Sequence, residues 1–177
     1  MKGGGIDESR ELLSLGIAVL TVSDTRTEET DSSGHILREA ITQAGHRVAA
    51  KLIVTDDAEL VEAQLRAWIA NEAIDVIIAT GGTGITGRDV TPEAFYAVYD
   101  KEIPGFGEFF RRISEKSIGL SAIQSRATAG VAAGTLLFAL PGSNGACRDA
   151  WNEILVYQLD SRYRPCNFAE LLPRLRE

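Results

Sequence analysis

Three short stretches concentrate the side chains able to hold a charged ligand: Ser23-Asp24-Thr25, Thr80-Gly81-Gly82-Thr83-Gly84 and Leu140-Pro141-Gly142-Ser143-Asn144. Each joins small residues, which let backbone amides come close to a ligand, with hydroxyls that can donate to an anion. Together they point to a ligand that carries phosphate. Asp89 lies between the glycine-rich stretch and a helix start, where anions are usually bound. A carboxylate there repels phosphate unless a divalent cation lies between the two, which implies magnesium. The other reading of Asp89 is a cap on the helix that opens near Pro92. Asp56, three residues before Glu59, reads first as the N-cap of a helix. Arg126, preceded by Ser125 and followed by small residues, offers its guanidinium fork either to a phosphate or carboxylate or to an ordinary ion pair.

Several chemistries are excluded. Gly82 to Gly87 matches the dinucleotide pattern GxGxxG in form, but Arg88, Asp89 and Val90 intervene before the next helix, so the match is rejected. No GK[ST] loop is present. His35 and His46 have no ligand-like spacing, and no Ser-His-Asp or Cys-His arrangement is evident, which argues against a zinc site and a covalent protein nucleophile. Cys147 and Cys166 fit no CxxC pattern and read as buried, reduced thiols.

The elements that must position these residues alternate. Gly16 to Ser23 is a continuous aliphatic and β-branched run, as in a strand buried on both faces. Ile36, Leu37, Ala40, Ile41 and Ala44 recur at helical spacing, with Gly45 where a helix ends. A second strand is expected over His46 to Val54, a second helix through Leu60, Leu65 and Trp68, and a third buried strand over Ala73 to Thr80. Thr91 and Pro92 open a short helix as N-cap and first helical residue. Ile103 to Gly107 breaks the chain before a helix over Glu108 to Ile118, and residues 127–131 and 135–140 form a strand pair. The loop at Pro141 then opens a helix carrying Trp151, Ile154, Leu155 and Leu159. Strand, helix, strand order with right-handed crossovers predicts a doubly wound α/β domain, whose ligands sit beyond the carboxyl ends of the strands.

At 177 residues, with 45% hydrophobic and 24% charged residues, the chain has room for one self-sufficient core. Its net charge of −7 disfavours nucleic acid and anionic membrane surfaces, so an anionic ligand must be held locally. The longest apolar stretch, Gly130 to Gly142, is too short to span a bilayer. The first 15 residues lack the apolar run of a signal peptide, and the expected location is the cytoplasm.

At Thr80 to Gly84, Arg88-Asp89-Val90-Thr91-Pro92-Glu93-Ala94, Ser125-Arg126 and Leu140 to Ser143, the sequence resembles the molybdopterin-binding family of molybdenum cofactor biosynthesis, and the likeness runs from about Gly16 to Phe168. Ser32-Ser33-Gly34-His35, the Gly105-Phe106-Gly107-Glu108 segment and the stretch from Ala146 to Phe168 resemble one branch of it rather than its adenylyltransferase sister branch. The resemblance implies a three-layer α/β/α fold with a mostly parallel sheet, assembled as trimers or hexamers. It further implies adenylyl transfer from Mg-ATP to the terminal phosphate of molybdopterin. In that reading Asp56 and Asp89 hold Mg2+ and the ATP phosphates and count as catalytic together with Ser125 and Arg126. Ser23, Asp24, Thr25, Gly81, Gly82, Thr83, Gly84, Glu93, Pro141, Gly142 and Ser143 would line the pterin and phosphate pocket. Asn144 departs from the pattern, standing where many relatives carry proline.

The resulting expectation is a molybdopterin-binding domain over residues 16–161, with an N-terminal extension over 1–15 and a C-terminal tail over 162–177 that fit no element of the sheet. Leu12-Leu13 and Leu171-Leu172 are candidates for burial against further copies of the chain. Two functions stand side by side: a Mg-dependent molybdopterin adenylyltransferase, and a protein that holds molybdopterin or a nucleotide without turnover. A nicotinamide oxidoreductase rests only on the rejected glycine pattern.

Overall fold

The computed structural model describes residues 4–177, so the first three positions of the N-terminal extension lie outside the described residues. The chain enters through a short strand, β1 (Gly5–Ile6), and then forms β2 (Gly16–Val22), buried along its whole length. The helix α1 (Ser32–Gln43) starts at Asp31, whose side chain accepts the Gly34 N–H, and ends before Gly45, which takes the left-handed conformation at φ 86°. The strand β3 (Arg47–Val54) and helix α2 (Ala58–Ile69) follow.

The third parallel strand, β4 (Val76–Thr80), is shorter than the apolar run suggested. An Asx turn takes the residues before it: the Asn71 carboxamide oxygen accepts from the Ala73 N–H at 3.0 Å, and the Ile74 N–H donates to the Asn71 carbonyl at 3.0 Å. The helix α3 (Thr91–Tyr96) has Val90, not Thr91, as its N-cap. A two-residue strand β5 (Lys101–Glu102) leads to α4 (Pro104–Ile118), which corrects the expected chain break. Pro104 initiates this helix instead of interrupting it, and Phe106, Phe110 and Ile113 fall on one buried stripe. Gly107 is needed there because a Cβ would meet the Ala127 carbonyl at 2.5 Å, so the helix packs hard on the sheet. The expected hairpin is β6 (Thr128–Ala132) and β7 (Thr135–Leu140), turned through Ala133 and Gly134 at φ 46° and 88°. The helix α5 (Asn144–Ala150) continues through a π turn at Trp151–Leu155.

Strand order in the main sheet is β3-β2-β4-β7-β6-β5, with β3, β2, β4 and β7 parallel and β6 antiparallel to both neighbours. Alternate residues of β2 serve opposite faces. Ile17 and Val19 pack with Leu37, Ile41, Phe106, Phe110 and Ala150 of α1, α4 and α5, whereas Ala18, Leu20 and Val22 pack with Val61, Leu65 and Phe95 of α2 and α3. The fold is therefore a three-layer α/β/α sandwich with a mostly parallel sheet. The terminal segments stay outside that sheet but pair with each other, β1 running antiparallel to β8 (Tyr163–Arg164).

The chain leaves β2 towards α1 on one face and leaves the adjacent β4 towards α3 on the other. Such a reversal opens a crevice between the two strand ends, and the loops 23–31 and 81–90 lie there.

Candidate active site

The glycine-rich loop is shaped by close approach. Gly81 and Gly82 adopt φ 104° and 63°, a region that other residues enter only with strain. A Cβ on Gly81 would collide with the Val22 carbonyl, and one on Gly82 would stand 2.5 Å from the Thr91 hydroxyl and 3.1 Å from the Asp56 carboxylate. Thr91, fully buried, fastens the loop from the α3 side: its Oγ1 donates to the Gly81 carbonyl at 2.8 Å and its N–H to that of Gly82 at 3.0 Å.

The carboxylates meet around this loop. Asp56 does not cap α2; Asp57 does, accepting from the Glu59 and Leu60 N–H groups. Asp56 is thereby left to face Asp24 in a reciprocal pair: the Asp24 N–H donates to Asp56 Oδ2 at 2.9 Å and the Asp56 N–H to Asp24 Oδ1 at 3.1 Å. Arg88 reaches across the crevice and forks onto Asp24 with contacts of 2.6, 2.8 and 3.0 Å. That guanidinium holds the Asp24 carboxyl below the usual carboxylate range. Asp56 is pushed up by its partial burial and then by the negative charges of Asp24 and Asp89.

Asp89 sits on the same pole, its Oδ2 positioned 2.8 Å from a Cβ built on Gly84. It does not cap α3. Its carboxylate accepts from the Thr86 N–H at 2.8 Å and the Thr86 hydroxyl at 2.7 Å. Burial works against its charge, but these bonds outweigh burial and lower its pKa. Arg126 is largely committed within the protein: Nε donates to the Gly84 carbonyl at 2.6 Å, Nη2 to the Asp89 carbonyl at 2.8 Å, and Nη1 pairs with Glu93. Its part is to pin the glycine loop, and Glu93 serves as its counter-ion. Ser125 accepts the Ala127 N–H at 3.3 Å.

The third loop closes the site. The Gly81 N–H donates to the Leu140 carbonyl at 3.0 Å, Thr80 Oγ1 to that of Pro141 at 3.1 Å, and Gly142 lies against Gly81. Ser143 caps α5 by accepting the Ala146 N–H at 3.2 Å, and Asn144 accepts from the Ser32 hydroxyl at 2.9 Å, which ties α5 to α1. A cleft of about 200 Å³ runs between Thr83, Gly84, Ser125, Pro141 and Ser143, with Phe110 at its wall. In the first loop Ser23 Oγ accepts from the Thr25 and Arg26 N–H groups at 3.2 Å each and lies 3.5 Å from the Thr25 hydroxyl.

Among the described residues no three His, Cys, Asp or Glu side chains form a ready-made metal cluster. The donor set nevertheless fits magnesium, which is usually held by one or two carboxylates together with substrate phosphates and water. Crowding of Asp56 by two other carboxylates favours a cation at this point. Sequence reasoning gives no separate role to Arg88 or Thr86, although both lie within three residues of Asp89; a cation beside a candidate metal carboxylate is the available signal. It also missed Lys51, whose Nζ lies 2.8 Å from Asp31 and 2.6 Å from Glu28, binding the first loop to β3. Of the cysteines, Cys147 is buried as expected and Cys166 is exposed, which corrects the reading of both as buried.

Residues 18–161 match a family profile described as "Probable molybdopterin binding domain". The chain belongs to this molybdopterin-binding-domain family. Within it, the chain is 52% identical over 160 residues to molybdenum cofactor biosynthesis protein B of Escherichia coli (strain K12), a match covering 90% of this chain and 94% of that one. A crystal structure of a molybdenum cofactor biosynthesis protein B superposes with a TM-score of 0.85 at 42% identity, covering 94% of this chain and 98% of the other. The tungsten cofactor synthesizing protein MoaB from Pyrococcus furiosus superposes with a TM-score of 0.76 at 34% identity, covering 93% and 98%. The family's matched region contains all three loops of the crevice, while the terminal ribbon of β1 and β8 lies outside it.

Proposed function

We propose that this member of the family binds molybdopterin in the cleft beside the glycine loop and adenylylates its terminal phosphate with Mg-ATP. The observation that carries the reading is the convergence of Asp56 and Asp89 on one glycine loop, beside a cleft lined by Thr83, Ser125 and Ser143. An oxygen of the pterin's terminal phosphate forms a bond to the α-phosphorus of ATP. The bond from that phosphorus to its bridging oxygen breaks, and pyrophosphate leaves with the electron pair. No side chain becomes attached, in keeping with a site whose neighbouring thiol, Cys147, is buried and pushed up to about 11. Bound Mg2+ would supply charge neutralisation across the triphosphate. The chain's own residues align the two phosphates: Asp56 and Asp89 hold the cation, Arg126 fixes the loop that carries Asp89, and Ser23, Ser125 and Ser143 bind around the phosphates and pterin. Alignment and charge stabilisation then account for most of the rate.

The catalytic unit in this reading spans residues 16–161, works in the cytoplasm, and is repeated in a trimer or hexamer. No helix among the described residues is long and apolar enough to cross a membrane. Incubation with molybdopterin, ATP and magnesium is expected to give adenylylated pterin and pyrophosphate, with Asp89→Asn about 10²- to 10³-fold slower. Equal product from both proteins would overturn the role of Asp89. Tight pterin binding with no pyrophosphate would instead favour the binding protein without turnover.

A further inference from the structure

Arg88 is placed unlike the other basic side chains of the crevice. Arg126 is pinned by three partners, whereas Arg88 is 67% exposed and spends its hydrogen bonds on Asp24 alone. Its chain neighbour is Asp89, and Asp24 is tied to Asp56 through both backbone N–H groups. One exposed guanidinium therefore offsets the charge of Asp24 at the acidic mouth of the site. An ion pair this exposed to water is screened and can exchange partners. The same planar fork matches two oxygens of a phosphate, which carries more charge than Asp24 can offer.

We propose that Arg88 is a latch that binds Asp24 while the site holds no nucleotide and moves its fork to the phosphates of an arriving nucleoside triphosphate. Asp24 is then free to join Asp56 and Asp89 around the divalent cation. The inference rests on the metal-nucleotide reading of the site and adds to it how the two ligands communicate. Metal alone meets a carboxylate already taken by Arg88, and nucleotide alone meets a guanidinium already taken by Asp24. Each ligand therefore improves the site for the other, and the coupling is reciprocal.

The test is Mn2+ binding to the full chain, read by electron paramagnetic resonance of free Mn2+, with and without α,β-methylene ATP, which cannot transfer its adenylyl group. The unaltered chain is expected to bind Mn2+ about tenfold more tightly when the nucleotide is present. Arg88→Ala is expected to bind Mn2+ alone several-fold more tightly, to bind the nucleotide at least about tenfold more weakly, and to lose the part of the coupling that does not come from phosphate oxygens on the cation. Asp24→Asn, which frees Arg88 without removing it, is expected to keep nucleotide binding and weaken Mn2+ in the ternary complex. Arg88→Ala with unchanged coupling, or with weaker binding of Mn2+ alone, would overturn the latch while leaving the site intact. Absence of Mn2+ and nucleotide binding in the unaltered chain would overturn the site itself, so the two failures are distinguishable.

Discussion

Asp31 is fully buried yet charged, and its surroundings explain how. Burial pushes its pKa up, but the Lys51 ammonium at 2.8 Å, the Gly34 N–H at 2.9 Å and the Thr21 hydroxyl at 2.8 Å outweigh burial, so the net displacement is downward. Lys51→Met would leave that carboxylate without its cation and is expected to cost about 3 kcal/mol in urea unfolding, because a broken buried pair strands a charge. A loss no larger than a surface substitution gives would contradict the arrangement. His46 behaves oppositely to a surface histidine. Its Nδ1 accepts the Leu15 N–H at 3.2 Å, and burial lowers its pKa from the ordinary 6.5, against the pull of the Asp160 charge. The folded state thus favours the neutral ring, and the unfolded chain takes up a proton first. Its stability is fully present above about pH 6.5 and is lost as the pH falls from there through the lowered folded value. Melting curves across this range should fall less steeply for His46→Asn than for the unaltered chain; parallel falls would exclude His46 as the cause.

At the scale of elements, the glycine loop is where sequence and structure meet most closely. Gly82→Ala would force a side chain into φ 63° and against both Thr91 and Asp56. The expected cost is about 1–2 kcal/mol, read by thermal melting, together with weaker nucleotide binding. A variant as stable and as tight-binding as the unaltered chain would show that the loop tolerates a different path. The succession of strands and helices along the chain and the strand pair were legible because strands buried on both faces read as unbroken apolar runs, as in Gly16–Val22. The helix starts were less so. Neighbouring aspartates compete for one cap, and only the backbone turn after Thr55 decides that Asp57 takes it and Asp56 faces Asp24. Pro104 and its adjacent glycines look like a break until the spacing of Phe106, Phe110 and Ile113 is matched to a helix. The Arg88–Asp24 fork joins positions 64 apart in the chain, and no local pattern could reveal it.

At the scale of the whole molecule, exposed apolar surface is found at the terminal leucines and also beside the cleft. Leu172 packs partly against the core, and Leu13 and Leu171 are 49% and 41% exposed. Leu120 and Ile123, on the 3-10 turn Gly119–Gln124 beside the cleft, are 86% and 84% exposed. If the chain assembles through its apolar surface, light scattering should show an oligomer for the unaltered chain and a smaller species for Leu120→Ser combined with Ile123→Ser; a single mass for both would place the contact elsewhere. The ends of the chain are tied to one another through β1 and β8, with Arg10 and Arg164 both paired to Glu170, on residues outside the three loops. The proposed ligand site lies apart from these terminal contacts, in the crevice between the ends of β2 and β4. In the proposed site Asp56 and Asp89 share a divalent cation. That sharing is tested most directly by a crystal structure of the full chain with Mn2+ and α,β-methylene ATP. An anomalous peak in contact with both carboxylates and with phosphate oxygens is expected, whereas a peak touching neither, or a nucleotide seated away from the glycine loop, would exclude the shared cation.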